Sequence, residues 1–303
     1  MQHCKACAGG QYRPHRAKLY AMTAATTLPM DTLDILVHVR DAQGDSLAAR
    51  AALAIAQRIP SHLYGLHVAP MGAVAFSTPE TVVFQVHEAD HLYSESLARK
   101  GWWEKLLAEN SARGEWLSAQ GEPVEALCHA ARWCDLIVAE RPVLNPDAPT
   151  GWGTVSRTVF GAGVPVIVVP QTAKVASLGE RVTIAWNHSR ESMRAIRGAL
   201  PILKTASQTL VLDGTAHEDR LSARHLPELD LAAYLERHGV KAQFQRFTPK
   251  SEHGANILGA ARESKSDTIV MGGWGHSRIA ELVLGGATRY LFQNSDLPLF
   301  VAH

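Results

Sequence analysis

The residues best suited to chemistry lie near the end of the chain, where an apolar run closes at Met271 and is followed by Gly272-Gly273-Trp274-Gly275-His276-Ser277. After an amphipathic, helix-like stretch the chain reads Gly285-Gly286-Ala287-Thr288. Glycines let backbone N–H groups come close to phosphate oxygens, and a helix amino terminus offers its dipole to an anion. Thr288 would add a hydroxyl donor, Trp274 a face for a base, and His276 a polar neighbour. The plainer reading is a strand-to-helix turn with positive φ, in which His276 and Ser277 cap the helix. No Gly-x-Ser-x-Gly elbow and no Gly-x-x-x-x-Gly-Lys-Ser/Thr loop occurs among the 303 residues. No side chain stands out as a general base, and Glu281 is the only acidic residue near the glycines.

An internal repeat supplies the elements that must hold this loop. A shift of 146 lays Asp45-Ser46-Leu47 on Glu191-Ser192-Met193 and Asp41 on Asn187. Each segment reads as an apolar strand (Ile35–Val39, Val182–Trp186), a polar turn, and a helix from about Ser46 to Arg58 or Ser192 to Lys204. Towards the end of each half the shift is 132, with Asp135 on Asp267 and Arg157 on Arg289, so the first half carries about 14 extra residues. These are expected between Met71 and Lys100. After a one-residue slip Val164–Val169 falls on Leu297–Ala302. Apolar strands alternating with helices predict βαβ units and parallel sheets. The expected fold is α/β: two doubly wound parallel-sheet domains in tandem, at 31–170 and 181–303, joined by a polar linker at 171–180. Ligands of such sheets bind beyond the carboxyl ends of the strands.

Charged residues are 19% of the chain and nearly balanced at +1, which gives no electrostatic case for nucleic acid or a membrane surface as partner. No apolar stretch of membrane-spanning length is present, and the chain is expected to be soluble and cytoplasmic. Residues 1–30 are basic and without periodicity, and read as a disordered extension or a misassigned start. The four cysteines are Cys4, Cys7, Cys128 and Cys134; they form no disulfide framework, and no second ligand pair follows Cys4 and Cys7, so no metal site is expected. Trp102, Trp103 and Trp116 are expected to fill core or a face between domains.

The glycine loop and its repeat resemble the universal stress proteins, Rossmann-like domains of the adenine-nucleotide-binding class that includes the adenine nucleotide alpha hydrolase fold. That family's motif is Gly, two residues, Gly, nine residues, Gly, then Ser or Thr after the fourth strand. Gly272, Gly275 and Gly285 match it, while Gly286 stands at the hydroxyl position. The corresponding first-half positions are Glu140, Val143, Gly153 and Thr154, of which only the last two match. In the ATP-binding branch an acidic residue after the first strand contacts adenine; here the positions are Asp41 and Asn187.

The resemblance implies a non-catalytic stress-response module that binds or senses ATP or AMP, with Mg accompanying ATP, at Asn187, Gly272, Gly275, His276, Gly285, Gly286, Ala287 and Thr288. Glu140 is expected to repel phosphate from the first half. It also implies that Val164–Val169 and Leu297–Ala302 pair, making the halves an intrachain pseudo-dimer; an unpaired apolar edge would be an aggregation hazard in any case. Association of two chains into a homodimer stays open. The alternatives are a protein-interaction scaffold working through the first-half insertion and the proline-bearing stretch Arg141–Thr150, and, third, an ATP hydrolase.

Overall fold

The computed structural model describes residues 32–40, 46–71, 79–141, 153–214, 229–249, 251–273 and 286–303. Among the described residues, five strands and five α-helices make up the first half: β1 (Leu33–His38), α1 (Leu47–Ala56), β2 (Ser61–Ala69), α2 (Pro79–Ala98), α3 (Lys100–Glu109), β3 (Arg113–Gln120), α4 (Pro123–Ala130), β4 (Leu136–Glu140), α5 (Thr154–Gly161) and β5 (Val166–Val169). The second half follows with β6 (Arg181–Trp186), α6 (Arg190–Thr205), β7 (Gln208–Asp213), α7 (Leu231–Arg237), β8 (Gln243–Arg246), α8 (His253–Glu263), β9 (Thr268–Gly272), α9 (Ala287–Asn294) and β10 (Leu299–Ala302).

All ten strands join in a single sheet, in the order β3-β2-β1-β4-β5-β10-β9-β6-β7-β8. Every neighbouring pair is parallel except β5 and β10, which run antiparallel with Phe300 opposite Ile167. The order reads the same from either end, so the repeat seen in the sequence is also a repeat of topology. Successive residues of a strand face opposite sides, and two apolar layers result. Ile35, Val37, Val182 and Phe300 pack with α1, α3, α6 and α7. Leu36, Ile137, Met271 and Val301 pack with α4, α5, α8 and α9 on the other side. Each layer runs through both halves.

Several expectations are refined. Strand pairing sets Ile35 opposite Leu136 and Val182 opposite Thr268, so with a 132 shift at the later strands the first strands differ by 147, one more than their helices. Helix α6 starts at Arg190 and not Ser192, because Ser189 caps it, accepting from the Ser192 N–H at 3.1 Å. In the first half Ser46 itself is the cap of α1, accepting from Ala49 N–H at 3.2 Å. The second half's helix thus begins one turn earlier, since the serine that caps best lies three residues before the one aligned with Ser46.

The surplus of the first half is α2, which lies along β2 and β3. Buried Ser96 holds it there, donating to Ser118 Oγ at 3.0 Å and lying 2.9 Å from His67 Nδ1. Trp103 is fully buried beneath this layer with Trp102 and Trp116 around it, as expected of core tryptophans. The segment 171–180 is not a free polar linker. Val175 and Leu178 are buried in the first apolar layer, and the Asp267 carboxylate accepts from the backbone N–H of Gly179, Glu180 and Arg181 at 2.7, 3.1 and 2.9 Å. Burial of that carboxylate raises its pKa against the lowering effect of those hydrogen bonds.

Among the described residues no helix is long and apolar enough to cross a membrane. Residues 1–30, with Cys4 and Cys7, lie outside the described residues.

Candidate functional site

A cavity of about 260 Å³ opens at the carboxyl ends of β6, β7 and β9, near the lower bound of the roughly 300–1,000 Å³ usual for small-molecule sites. Ala185, Leu212, Ile257 and Met271 supply its apolar wall, and Phe247, Thr248 and Pro249 after β8 another side. Parallel strands produce this place by geometry, because each chain must leave its strand here and cross to a helix.

Three helices point their amino termini towards it. Helix α6 is capped by Ser189. Helix α8 begins after Glu252, which has φ 51° and makes no side-chain cap bond, and α9 begins after Gly286, likewise without one. The first N–H groups of α8 and α9 therefore have no side-chain acceptor at the cap, and such groups with their dipoles favour an anion.

Of the sequence-predicted residues, Asn187, Gly272, Ala287 and Thr288 line the cavity together. Asn187 Oδ1 accepts from Ser189 N–H at 3.3 Å, which places this amide at the turn into α6. Gly286 precedes α9 as its cap residue but is not among the lining residues. Gly275, His276 and Gly285 lie outside the described residues, as do Trp274, Glu281 and Asp41. Gly272 has a sharp steric requirement. A Cβ there would sit 2.5 Å from the backbone nitrogen of Ser192 and 2.9 Å from Glu191 Cβ, so β9 and α6 approach as closely as glycine allows.

Sequence reasoning missed Trp186, Gly214, Phe247, His253 and Glu191, all of which line the cavity. Trp186 ends β6 and Gly214 follows β7, so the rule that ligands bind beyond strand carboxyl ends would have found both. Glu191 entered the sequence argument only as an alignment partner of Asp45. It is 6% exposed, and its Oε2 is buried with no hydrogen-bond partner.

The first half builds the corresponding corner differently. Strand register places Glu140 where the second half has Gly272, and the Glu140 carboxylate turns onto the amino terminus of α1. Its Oε1 accepts from Ser46 Oγ at 3.0 Å and from Ala48 N–H at 3.1 Å. The anion at this helix terminus is the protein's own side chain. Glu140→Ala is expected to destabilise the chain by about 0.5–2 kcal/mol, as loss of a helix-terminal acceptor does, measurable by urea denaturation.

His38 is a second difference. Register sets it on the small Ala185 of the second half, and it is 5% exposed with Nδ1 lacking a partner. Burial lowers its pKa to about 4, aided by Arg40 and His67, so it is neutral at pH 7. Val143 and the proline-bearing residues 142–150 lie outside the described residues; Arg141, at the edge of that stretch, donates to the Phe292 carbonyl at 2.9 Å.

No family model matches the chain, and no curated relative matches it either. Solved structures do. A universal stress protein from Archaeoglobus fulgidus DSM 4304 aligns over 89% of this chain and 96% of its own, with a TM-score of 0.66 at 16% identity. A functionally unknown protein from Pseudomonas aeruginosa PAO1 aligns over 89% and 92%, with a TM-score of 0.54 at 16% identity. A putative universal stress protein from Pseudomonas aeruginosa UCBPP-PA14 aligns over the same shares, with a TM-score of 0.53 at 17% identity. The fold of this chain is that of the universal stress proteins, laid down twice along one polypeptide.

Proposed function

We propose that this chain is a cytoplasmic stress-response module that binds an adenine nucleotide, ATP or AMP, without turning it over, and that the second half alone carries the site. The observation that carries the reading is the asymmetry between halves. One corner of the second half holds a cavity bounded by Gly272 and by helix termini whose caps offer no side-chain acceptor, while the matching corner of the first half is closed by Glu140 on α1. In the proposed complex Gly272, Gly275, Gly285, Gly286, Ala287 and Thr288 surround the phosphates, with His276 beside them and Asn187 on the base side. Mg enters with ATP. The two halves act as an intrachain pseudo-dimer about the β5–β10 pairing.

A thermal melt followed by tryptophan fluorescence tests this. Mg·ATP or AMP at about 100 times its Kd should stabilise the native state by roughly 2.7 kcal/mol, a shift of several degrees. No shift with millimolar nucleotide would overturn the reading and direct the search to protein partners.

A further inference from the structure

Glu191 is out of place in a site built for an anion. It sits in the first turn of α6, lines the cavity, and stands beside Gly272 so closely that a Cβ on that glycine would come 2.9 Å from its own Cβ. Its Oε2 is buried without a hydrogen-bond partner, a costly state for a carboxylate oxygen unless something else in the working protein satisfies it. The cap of α6 does not supply that partner. Ser192 N–H is taken by Ser189. A phosphate brought to Gly272 would meet this carboxylate as a like charge.

A divalent cation shared between them reconciles the two anions. Magnesium is commonly held in this way, by one or two carboxylates together with substrate phosphates and waters, and not by an all-protein cage. Among the described residues no group of three or more His, Cys, Asp or Glu side chains is arranged to hold a metal alone, so an ion here would need the phosphate oxygens as well. We propose that Glu191 makes nucleotide binding at this cavity conditional on a divalent cation, which bridges its carboxylate and the ligand's phosphate. This inference rests on the nucleotide reading above. The carboxylate and the nucleotide then form the cation site jointly, and the protein takes up the metal–nucleotide complex in preference to the free nucleotide.

The test compares the full chain with Glu191→Gln, which keeps the shape and removes the charge. Affinities for AMP and for ATP are measured by titration calorimetry in excess Mg²⁺ and in EDTA. The native chain should bind each nucleotide roughly tenfold or more tightly with Mg²⁺. Glu191→Gln should bind in EDTA at least as tightly as the native chain does there, and should gain less than about threefold from Mg²⁺. Its unliganded melting temperature should be equal or higher, which shows that it folds. With Mn²⁺ as the probe, the electron paramagnetic resonance signal of free ion should fall when native chain and AMP are both present, and not when Glu191→Gln replaces the native chain. Equal binding by the native chain in Mg²⁺ and EDTA would overturn the inference while leaving the nucleotide reading intact. Undiminished metal dependence in Glu191→Gln, or weaker binding by it in EDTA, would do the same. Absence of binding in every arm would overturn both.

Discussion

Phe300→Ala is expected to lower the unfolding free energy by about 3–5 kcal/mol, the range for deleting a fully buried aromatic ring. Phe300 has no exposed surface. It lies on β10, paired with Ile167 of β5 on one side and Val270 of β9 on the other, and belongs to the apolar layer shared by both halves. The ring also faces α6, since a Cβ on Gly198 would lie 3.5 Å from Phe300 Cζ. Truncation therefore opens a void where both halves, a helix and the antiparallel junction meet, and the surrounding backbone has little freedom to collapse into it. Guanidinium denaturation monitored by circular dichroism measures the loss. A change under about 1 kcal/mol would show that the junction is far more plastic than its packing implies.

Gly272→Ala should destabilise the chain by about 3 kcal/mol, the upper part of the usual overpacking range, whereas Gly153→Ala, which changes only the cap position of α5, should cost no more than about 1 kcal/mol. The two glycines belong to the same repeated motif but meet different surroundings. A methyl at 272 runs into backbone, with the Ser192 nitrogen at 2.5 Å and the Glu191 carbonyl carbon at 2.8 Å, while one at 153 meets nothing within 4 Å. Backbone cannot swing aside as a side chain can, so β9 and α6 must separate, and the cavity between them changes shape. Any loss of ligand binding in a Gly272 variant has to be judged against this loss of packing; the paired melts of Gly272→Ala and Gly153→Ala provide that baseline. Equal melting temperatures for the two variants would contradict the close approach of β9 to α6.

The fold was legible because buried parallel strands announce themselves. Runs such as Leu136–Ala139 and Ile269–Met271 are apolar on both faces, and the same order of runs recurs along the chain. The sequence could not show by itself that the two sheets merge into one, since that depends on the edges of β5 and β10 meeting; the family resemblance implied that pairing, and an unpaired apolar edge would have been an aggregation hazard. At the site, the glycines were visible as a pattern and Gly272 did reach the cavity, with Asn187, Ala287 and Thr288. Glu140 was read as an obstacle to phosphate. Its bonds to Ser46 and Ala48 were not foreseeable, because they join residues 92 and 94 positions apart. Glu191 escaped notice for a related reason: an acidic residue in a helix's first turn is commonplace, and only the packing of β9 against α6 turns it into a buried, unsatisfied one.

The antiparallel junction also imposes an order of events during synthesis. Strand β5 is complete long before β10 exists, and the stretch from Val169 to Leu299 takes roughly ten seconds to translate at about 5–20 residues per second. Throughout that interval the first half has every element of its sheet except the neighbour of its last strand, and that strand reads Val-Ile-Val-Val. A second nascent chain on the same messenger would present an identical row of unpaired backbone groups. Faithful assembly then becomes a race between arrival of the chain's own final strand and capture by a sister molecule, decided by translation speed and by whatever shields the waiting edge.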